Sequence, residues 1–377
     1  MSPRGVPGRE SVMVAMSGGV DSSLAAALLL EQGYGVTGVT MHLWTGPKER
    51  LGESRCCSLE ATEGARRVCQ ALGIPHYVLN LSREFESCVV EPFVSAYARG
   101  RTPNPCIACN REVKFRLLLR KAVTMGFRYL ATGHYARVRS SEEDGRYHLL
   151  RGVDRGKDQS YVLFMLGQAE LAHLLFPLGE MTKVEVRRET GRRGLPTAGR
   201  PESQEICFIP HDDYRRFLAG RLPEAARPGP IRDLQGSILG THRGLPCYTV
   251  GQRKKLGLSG RSHPLYVVAL DLAGNALVVG PEEALLTPTL EAEEVSFVSG
   301  AWPPGPLRVE AKVRYRTPPA PATLVPLGFG RVRLEFRQPQ RAITPGQAAV
   351  FYQGEEVLGG GTIGAAGRRY LYDSESP

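Results

Sequence analysis

The sequence predicts an α/β N-terminal half built on a parallel sheet, followed by β structure. Three observations carry this expectation. Between residues 11 and 81 short apolar runs alternate with segments of helical period. Beyond about Pro210 the chain turns to short strands punctuated by Pro and Gly, with no long amphipathic helix. At 377 residues, 42% of them hydrophobic and 23% charged, it is long enough for two or three domains with their own cores.

Taken in order, a strand is expected over 11–16, a helix over 21–32, a strand over 35–43, a helix over 59–72 and a strand over 76–81, a βαβαβ series. Val12, Met13 and Val14 are apolar on both faces, as in a parallel sheet covered by helices on each side. A helix near 111–125, a strand over 128–132 and a helix over 183–193 continue the alternation. Later, residues 271–275 (Asp-Leu-Ala-Gly-Asn) read as a turn. Two period-two strands follow, with Leu307, Val309, Ala311, Val313 and Tyr315 on one face of the first and Val332, Leu334 and Phe336 on one face of the second. Arg308, Lys312, Arg314, Arg316, Arg331, Arg333 and Arg337 line their other faces, either as a solvated surface or as a platform for RNA.

Lys and Arg number 48 against 38 Asp and Glu, a formal charge of +10 that suits a polyanionic partner such as nucleic acid or simply keeps the chain soluble. The first ten residues are rich in Gly, Pro and Arg without an apolar h-region, and the apolar run 24–30 is too short to span a bilayer; a cytoplasmic protein is expected, with no membrane partner. Eight cysteines in such a setting point to thiols, metal ligands or redox chemistry before a disulfide framework.

The most informative stretch is Ser17-Gly18-Gly19-Val20-Asp21-Ser22-Ser23, directly between the first strand and the first helix. Two glycines permit close backbone approach, converging amides and the helix N-terminus favour a pyrophosphate, and Ser22 and Ser23 can donate to phosphate oxygens. Asp21 can cap the helix, hold Mg²⁺ or order the loop. No GxxxxGK[ST] segment is present, so this is not a Walker A loop. The pattern matches the SGGxDS signature of the PP-loop ATP pyrophosphatase superfamily, whose members split ATP into AMP and pyrophosphate.

A proline-set loop, Thr102-Pro103-Asn104-Pro105, leads to Cys106-Ile107-Ala108-Cys109, with a helix expected from about Asn110. Cys109 at its N-terminus, near Arg111 and Lys114, is expected to have a lowered thiol pKa. With Cys207 these thiols fit a persulfide or redox pair, a three-cysteine iron-sulfur site, or, least well, structural zinc. Adjacent Cys56 and Cys57 read as loop thiols, and Cys69, Cys88 and Cys247 as packing residues. The histidines form no metal-ligand pair: His134 reads as a strand-end residue, His173 and His211 as surface or boundary residues.

With the loop, the Thr-Pro-Asn-Pro segment and Cys207 in one chain, the sequence resembles the tRNA-specific 2-thiouridylase family along nearly its whole length. Further matching segments are Ala131-Thr132-Gly133-His134-Tyr135-Ala136, Lys157-Asp158-Gln159-Ser160-Tyr161, Gln204-Glu205-Ile206-Cys207-Phe208-Ile209, Tyr248-Thr249-Val250-Gly251-Gln252-Arg253 and Thr344-Pro345-Gly346-Gln347. The resemblance implies a Rossmann-like PP-loop ATP-binding catalytic domain (1–210), a small central β-rich domain that contacts tRNA (211–287) and a C-terminal tRNA-binding β-barrel (288–377). The activity implied is ATP-dependent adenylation and sulfuration of C2 of the wobble uridine, releasing AMP and pyrophosphate.

Carried over by motif, Ala15, Met16, Ser17, Gly18, Gly19, Val20, Asp21 and Ser22 would bind ATP, with Met41 and Gly133 lining the adenosine site. Asn104, Pro105 and Cys106 would sit against the target base, and His134, Lys157, Asp158, Gln159, Arg314, Tyr315 and Gln347 would contact tRNA. Cys109 matches the nucleophile and Cys207 the persulfide carrier, loaded by a sulfur-relay protein or a cysteine desulfurase. Many family members carry Asp where this chain has Cys106; with Cys109 and Cys207 that makes three cysteines, a set resembling the site that holds a 4Fe-4S cluster in thiouridine synthetases. Glu202 also stands where Asp is common, and Lys255 where Gly is usual.

Overall fold

The computed structural model describes residues 10–44, 59–201, 206–209, 213–223, 227–258 and 263–366. Cys56, Cys57, Glu202, Gln204, Glu205 and His211 fall outside them. The expected alternation is present as β1 (Ser11–Ala15), α1 (Val20–Glu31), β2 (Gly35–His42), α2 (Leu59–Ala71) and β3 (His76–Asn80), joined by β4 (Tyr129–Ala131) and, at the edge, β7 (Leu174–Leu175). These strands form one parallel sheet in the order β3-β2-β1-β4-β7. The chain leaves β1 toward β2 on one side and returns as β4 on the other, which opens a crevice at the carboxyl ends of β1 and β4, where ligands settle in such sheets.

Val12, Met13 and Val14 are fully buried, as two-sided coverage requires. α1 is apolar nearly all round because it is a middle layer: Ala26 and Leu29 pack with Val12 and Val14, while Val20, Leu24 and Ala25 pack with Tyr135, Leu178 and Val186. Val186 lies on the helix Lys183–Arg192, whose first turn is fixed by Thr182 and Glu185 in a reciprocal capping box.

Two β units follow. β8 (Gly229–Arg232), β9 (Ile238–His242), β10 (Tyr266–Asp271) and β11 (Ala276–Gly280) form a four-stranded sheet, and the expected 271–275 turn joins the last two with Asn275 at φ 44° and the Gly274 amide donating to Asp271 Oδ1 at 2.9 Å. β12 (Leu286–Phe297), β15 (Arg331–Arg341), β14 (Ala320–Gly328), β13 (Leu307–Lys312), β16 (Ala348–Gln353) and β17 (Glu356–Ala366) are neighbours in that order, and β12 pairs with β17 to close a barrel. Val309, Ala311, Leu324, Val332, Leu334 and Phe351 fill it, matching the expected alternation.

One part of the architecture departs from the sequence reading. A hairpin, β5 (Ala136–Ser140) and β6 (Tyr147–Arg151), leaves the N-terminal α/β unit and extends the barrel sheet through Glu356 on β17 opposite Leu150. The Arg151 amide donating to Glu355 O at 2.8 Å and a 2.7 Å contact between His148 Nδ1 and Glu356 Oε1 reinforce this junction, and no local pattern predicts it.

At the carboxyl ends of β2 and β3, Leu43 and Leu81 enter an apolar cluster with Phe85, Phe93, Val113, Phe208 and Ile209. Phe208 is buried among the rings of Trp44, Phe85, Phe93 and Phe217, at centroid distances of 6.1, 5.7, 5.4 and 5.4 Å. Phe208→Ala is expected to destabilise the α/β unit by about 3–5 kcal/mol, read as a lower midpoint in chemical denaturation.

Candidate active site

The loop after β1 turns sharply at Gly18, which has φ +70°. A Cβ there would stand 2.1 Å from the carbonyl oxygen of Ala61 on α2, so only glycine fits. Gly19 is the N-cap of α1 and the helix has no side-chain cap; Asp21 lies inside the first turn instead of capping it as expected. The first-turn amides are thereby left to an anion, with the helix dipole behind them. Ser22 organises the loop, its Oγ accepting from the Ser17 amide at 3.1 Å and sharing a 3.1 Å hydrogen bond with Ser17 Oγ. Ser23 does not serve as the phosphate donor expected of it: its buried hydroxyl donates back to Gly19 O at 2.7 Å.

Met41 is the penultimate residue of β2 and Gly133 follows β4, on the strands flanking β1. A Cβ on Gly133 would come within 2.9 Å of Asp21 C and Ser22 N, so the β4 loop closes directly on the phosphate loop. Three groups distant in sequence brace the loop, and sequence reasoning missed them. Tyr135 OH donates to Asp21 Oδ1 at 2.7 Å, Lys183 Nζ reaches both Asp21 oxygens at 2.6 and 2.8 Å, and Arg200 Nη1 donates to Gly18 O at 2.8 Å. The T-x-x-E capping signature marks where Lys183 begins its helix, but nothing local marks its partner 162 residues away. Both oxygens of Asp21 are so engaged, which leaves no preformed carboxylate ligand for Mg²⁺ in this loop.

The helix carrying the thiols starts earlier than expected, at Pro105, with Asn104 as N-cap accepting from the Cys106 amide at 3.0 Å. Asn before Pro is a strong start signal, the proline sitting where its missing N–H costs nothing. The dipole therefore acts on Cys106 at the helix mouth, and Cys109 lies a turn further in, only 8% exposed. Arg111, expected to lower the Cys109 pKa, pairs instead with Glu112 at 3.0 Å and with Glu294 of the barrel at 3.9 Å. Cys109 is part of the aromatic cluster, and Cys207 and Met41 both pack against it. Met41, on the strand next to β1, thus packs against the same cluster as the two cysteines.

Cys106 is exposed, whereas burial raises the pKa of Tyr315. Among the described residues, which include Cys106, Cys109 and Cys207, no three His, Cys, Asp or Glu side chains are grouped to hold a metal ion. The three-thiolate set that a 4Fe-4S cluster needs does not fit this arrangement.

The barrel grips the loop in front of the thiols. Pro345 O accepts from the Thr102 amide at 2.8 Å, Gln347 Nε2 donates to Thr102 O at 2.8 Å, and Gly346, at φ +89°, lies so close that a Cβ would be 2.9 Å from Thr102 N. Gln347 thus orders the loop bearing Asn104, Pro105 and Cys106. Arg314 is a strut, donating from Nη2 to Val250 O of the central unit at 3.1 Å and to Ala342 O and Thr344 Oγ1 of the barrel, each at 2.7 Å. Asp158 is buried, its Oδ1 accepting from the Gly152 and Ser160 amides and its Oδ2 from the Ser160 hydroxyl; Gln159 Oε1 accepts from the Tyr135 amide at 3.0 Å. Lys157 is half-buried in the same turn.

Tyr315 is partly exposed at the seam between barrel and α/β unit, edge-on to Tyr161 at 5.9 Å. Lys312, which the strand pattern assigned to a solvated face, stands over both rings at 5.4 and 5.7 Å, and burial lowers its pKa. The outer arginines of β15 are in part neutralised, Arg331 and Arg333 pairing with Glu291 at 3.5 and 3.0 Å. His134 lies within van der Waals reach of Phe115 and Phe176, shares a 2.7 Å hydrogen bond with Thr132 Oγ1, and is only 8% exposed. Burial, with Lys114 nearby, holds its pKa well below the ordinary histidine value, so it offers a neutral ring and no surface cation.

Among known protein families, residues 10–211 match the one described as "tRNA methyl transferase HUP domain", 215–281 the "tRNA methyl transferase PRC-barrel domain" and 287–363 the "Aminomethyltransferase beta-barrel domain". The tRNA-specific 2-thiouridylase MnmA of Roseiflexus sp. (strain RS-1) is 57% identical over 368 residues, covering 93% of this chain and 98% of that protein. The chain belongs to the tRNA-specific 2-thiouridylase family. Its namesakes in Chloroflexus aurantiacus and Moorella thermoacetica are each 56% identical, covering 94% and 93% of this chain and 98% of their own length. Among the described residues of this family member, no helix is long and apolar enough to cross a membrane.

Gly18→Ala is expected to abolish ATP binding in calorimetry while the rest of the fold survives, since both the left-handed φ and the Ala61 carbonyl forbid a Cβ. His134 resists protonation in the fold but not in the unfolded chain, so its contribution to stability is complete above the ordinary histidine pKa and lost as pH falls below it. Melting temperature should therefore drop from about pH 7 to about pH 5. His134→Gln should flatten that drop, leaving the smaller share of His76, whose pKa burial also lowers.

Proposed function

We propose that this family member is a tRNA 2-thiouridylase that activates C2 of the wobble uridine with ATP and replaces its oxygen by sulfur. The observation that carries the reading is that Met41, near the carboxyl end of β2 and so beside β1 and its phosphate loop, packs against the same apolar cluster that contains Cys109 and that Cys207 borders. Nucleotide activation and sulfur delivery both need to reach one substrate atom, and adjacency of the two sites satisfies that need.

ATP would occupy the crevice with its pyrophosphate on the first-turn amides of Val20 to Ser22 and its adenosine between Met41 and Gly133. The loop holds the leaving pyrophosphate through the helix dipole while the C2 oxygen of uridine takes the adenylyl group. Asn104, Pro105 and Cys106, ordered by Gln347, would face the base, and Tyr315 and Lys312 would form the barrel side of its pocket. Arg314, His134, Asp158 and Gln159 support this surface from behind, and Lys157 is the cation of that turn nearest to a phosphate role.

For the sulfur step we favour the persulfide route. A sulfur-relay protein or a cysteine desulfurase would load Cys207 as a persulfide. The Cys109 thiolate then attacks the inner sulfur, the S–S bond breaks, and the released sulfide adds to C2 as AMP departs. A Cys109–Cys207 disulfide remains, which a dithiol reductant resets by two electrons.

Nucleoside mass spectrometry on tRNA carrying a wobble uridine tests the reading. With ATP, Mg²⁺ and a persulfide donor, the protein should form 2-thiouridine together with AMP and pyrophosphate. Cys109→Ala and Cys207→Ala should each lower product at least about a hundredfold while ATP affinity stays within about twofold. Iron chelation should leave the yield unchanged. AMP release with no 2-thiouridine under any sulfur source would overturn it.

A further inference from the structure

Asp21 puts a negative charge into the first turn of α1, where the loop would receive the negative charge of a triphosphate. The carboxylate is one-third exposed and is held in place by Tyr135 OH at 2.7 Å, while Gly133 lies so near that even a Cβ on it would come within 3.0 Å of Asp21 Cβ. Lys183 meets it from the helix Lys183–Arg192 with contacts to both oxygens at 2.6 and 2.8 Å, and the lysine is only 8% exposed. Its backbone is fixed as well: the Lys183 amide donates to Asp154 Oδ2 at 2.9 Å, and Thr182 caps the turn. A pair so withdrawn from water on the lysine side, and so fixed in place, is unlike the mobile surface pairs that contribute little.

We propose that Lys183 is a positioning residue of the nucleotide site, which neutralises Asp21 and holds it with Tyr135 so that the helix N-terminus is free to attract the phosphates of ATP. This deepens the reading of the loop as an ATP site and rests on it. Its signature is a dependence on Asp21: with the lysine removed, the bare carboxylate repels the nucleotide, and with both removed the repulsion is gone.

The test is a double-mutant cycle on the full chain, using MgATP as the probe in calorimetry. K183M should weaken binding about tenfold or more, K183R should stay within about threefold of the unmodified protein, and D21N/K183M should bind within about threefold of D21N. In turnover, K183M should raise KM for ATP and leave KM for tRNA unchanged. Unaltered ATP binding in K183M overturns the proposal. So do additive losses in the double variant, which would place the lysine's action elsewhere. Should K183M fail to fold, D21N/K183M decides, since it buries no unpaired charge: binding like D21N upholds the proposal and loss of binding overturns it. A protein that binds no ATP before any substitution overturns the reading of the loop itself, a pattern distinct from normal binding that K183M leaves untouched.

Discussion

The backbone of Gly18 lies against the carbonyl of Ala61 with no room for a side chain, and the rest of the site depends on that contact. It sets the direction in which the chain leaves β1, and so the point at which α1 begins and presents its amides. Arg200 locks the same turn from outside through the Gly18 carbonyl, and also donates to Glu60 O at 3.1 Å, tying the start of α2 to the loop. A phosphate site of this kind is backbone geometry first and side-chain chemistry second: the side chains of Ser22, Ser23 and Arg200 are spent on holding the main chain in place.

A second constraint works across domains. The loop ahead of Cys106 has no regular structure of its own, and its order comes from the barrel, through Pro345 and Gln347 on Thr102. Arg314 joins the barrel to the central unit, and the β5–β6 hairpin joins it to the α/β unit. The barrel is thereby more than an appended RNA module, since it sets the shape of the loop that bears the candidate base-facing residues. Several residues expected to touch RNA are in the first instance members of these joints, which is how a binding surface assembled from three units acquires a single shape.

The cysteines illustrate how environment divides similar groups. Cys69 lies on the sheet-facing side of α2 and burial pushes its thiol up to about 11, which removes it from chemistry at neutral pH. Cys106 lies open at a helix mouth, while Cys109 is buried in an aromatic cluster against which Cys207 also packs. Spacing alone treats Cys106 and Cys109 as a pair, yet the helix turns one outward and the other inward.

The sequence by itself determined the βαβ framework, the glycine turn between β1 and α1 and the alternation of the barrel strands, because each rests on short-range periodicity or on a residue type suited to close backbone approach. It misplaced the start of the thiol helix, where the Asn-Pro start signal lay unused, and it set Lys312 on an outer face, where the structure half-buries it over Tyr161 and Tyr315. Only the tertiary structure decided the partners of Asp21, the barrel's hold on Thr102 and the burial of His134. Those are meetings of side chains far apart in the chain, and no local pattern encodes which distant group will satisfy a charge or a hydrogen bond once the domains close on one another.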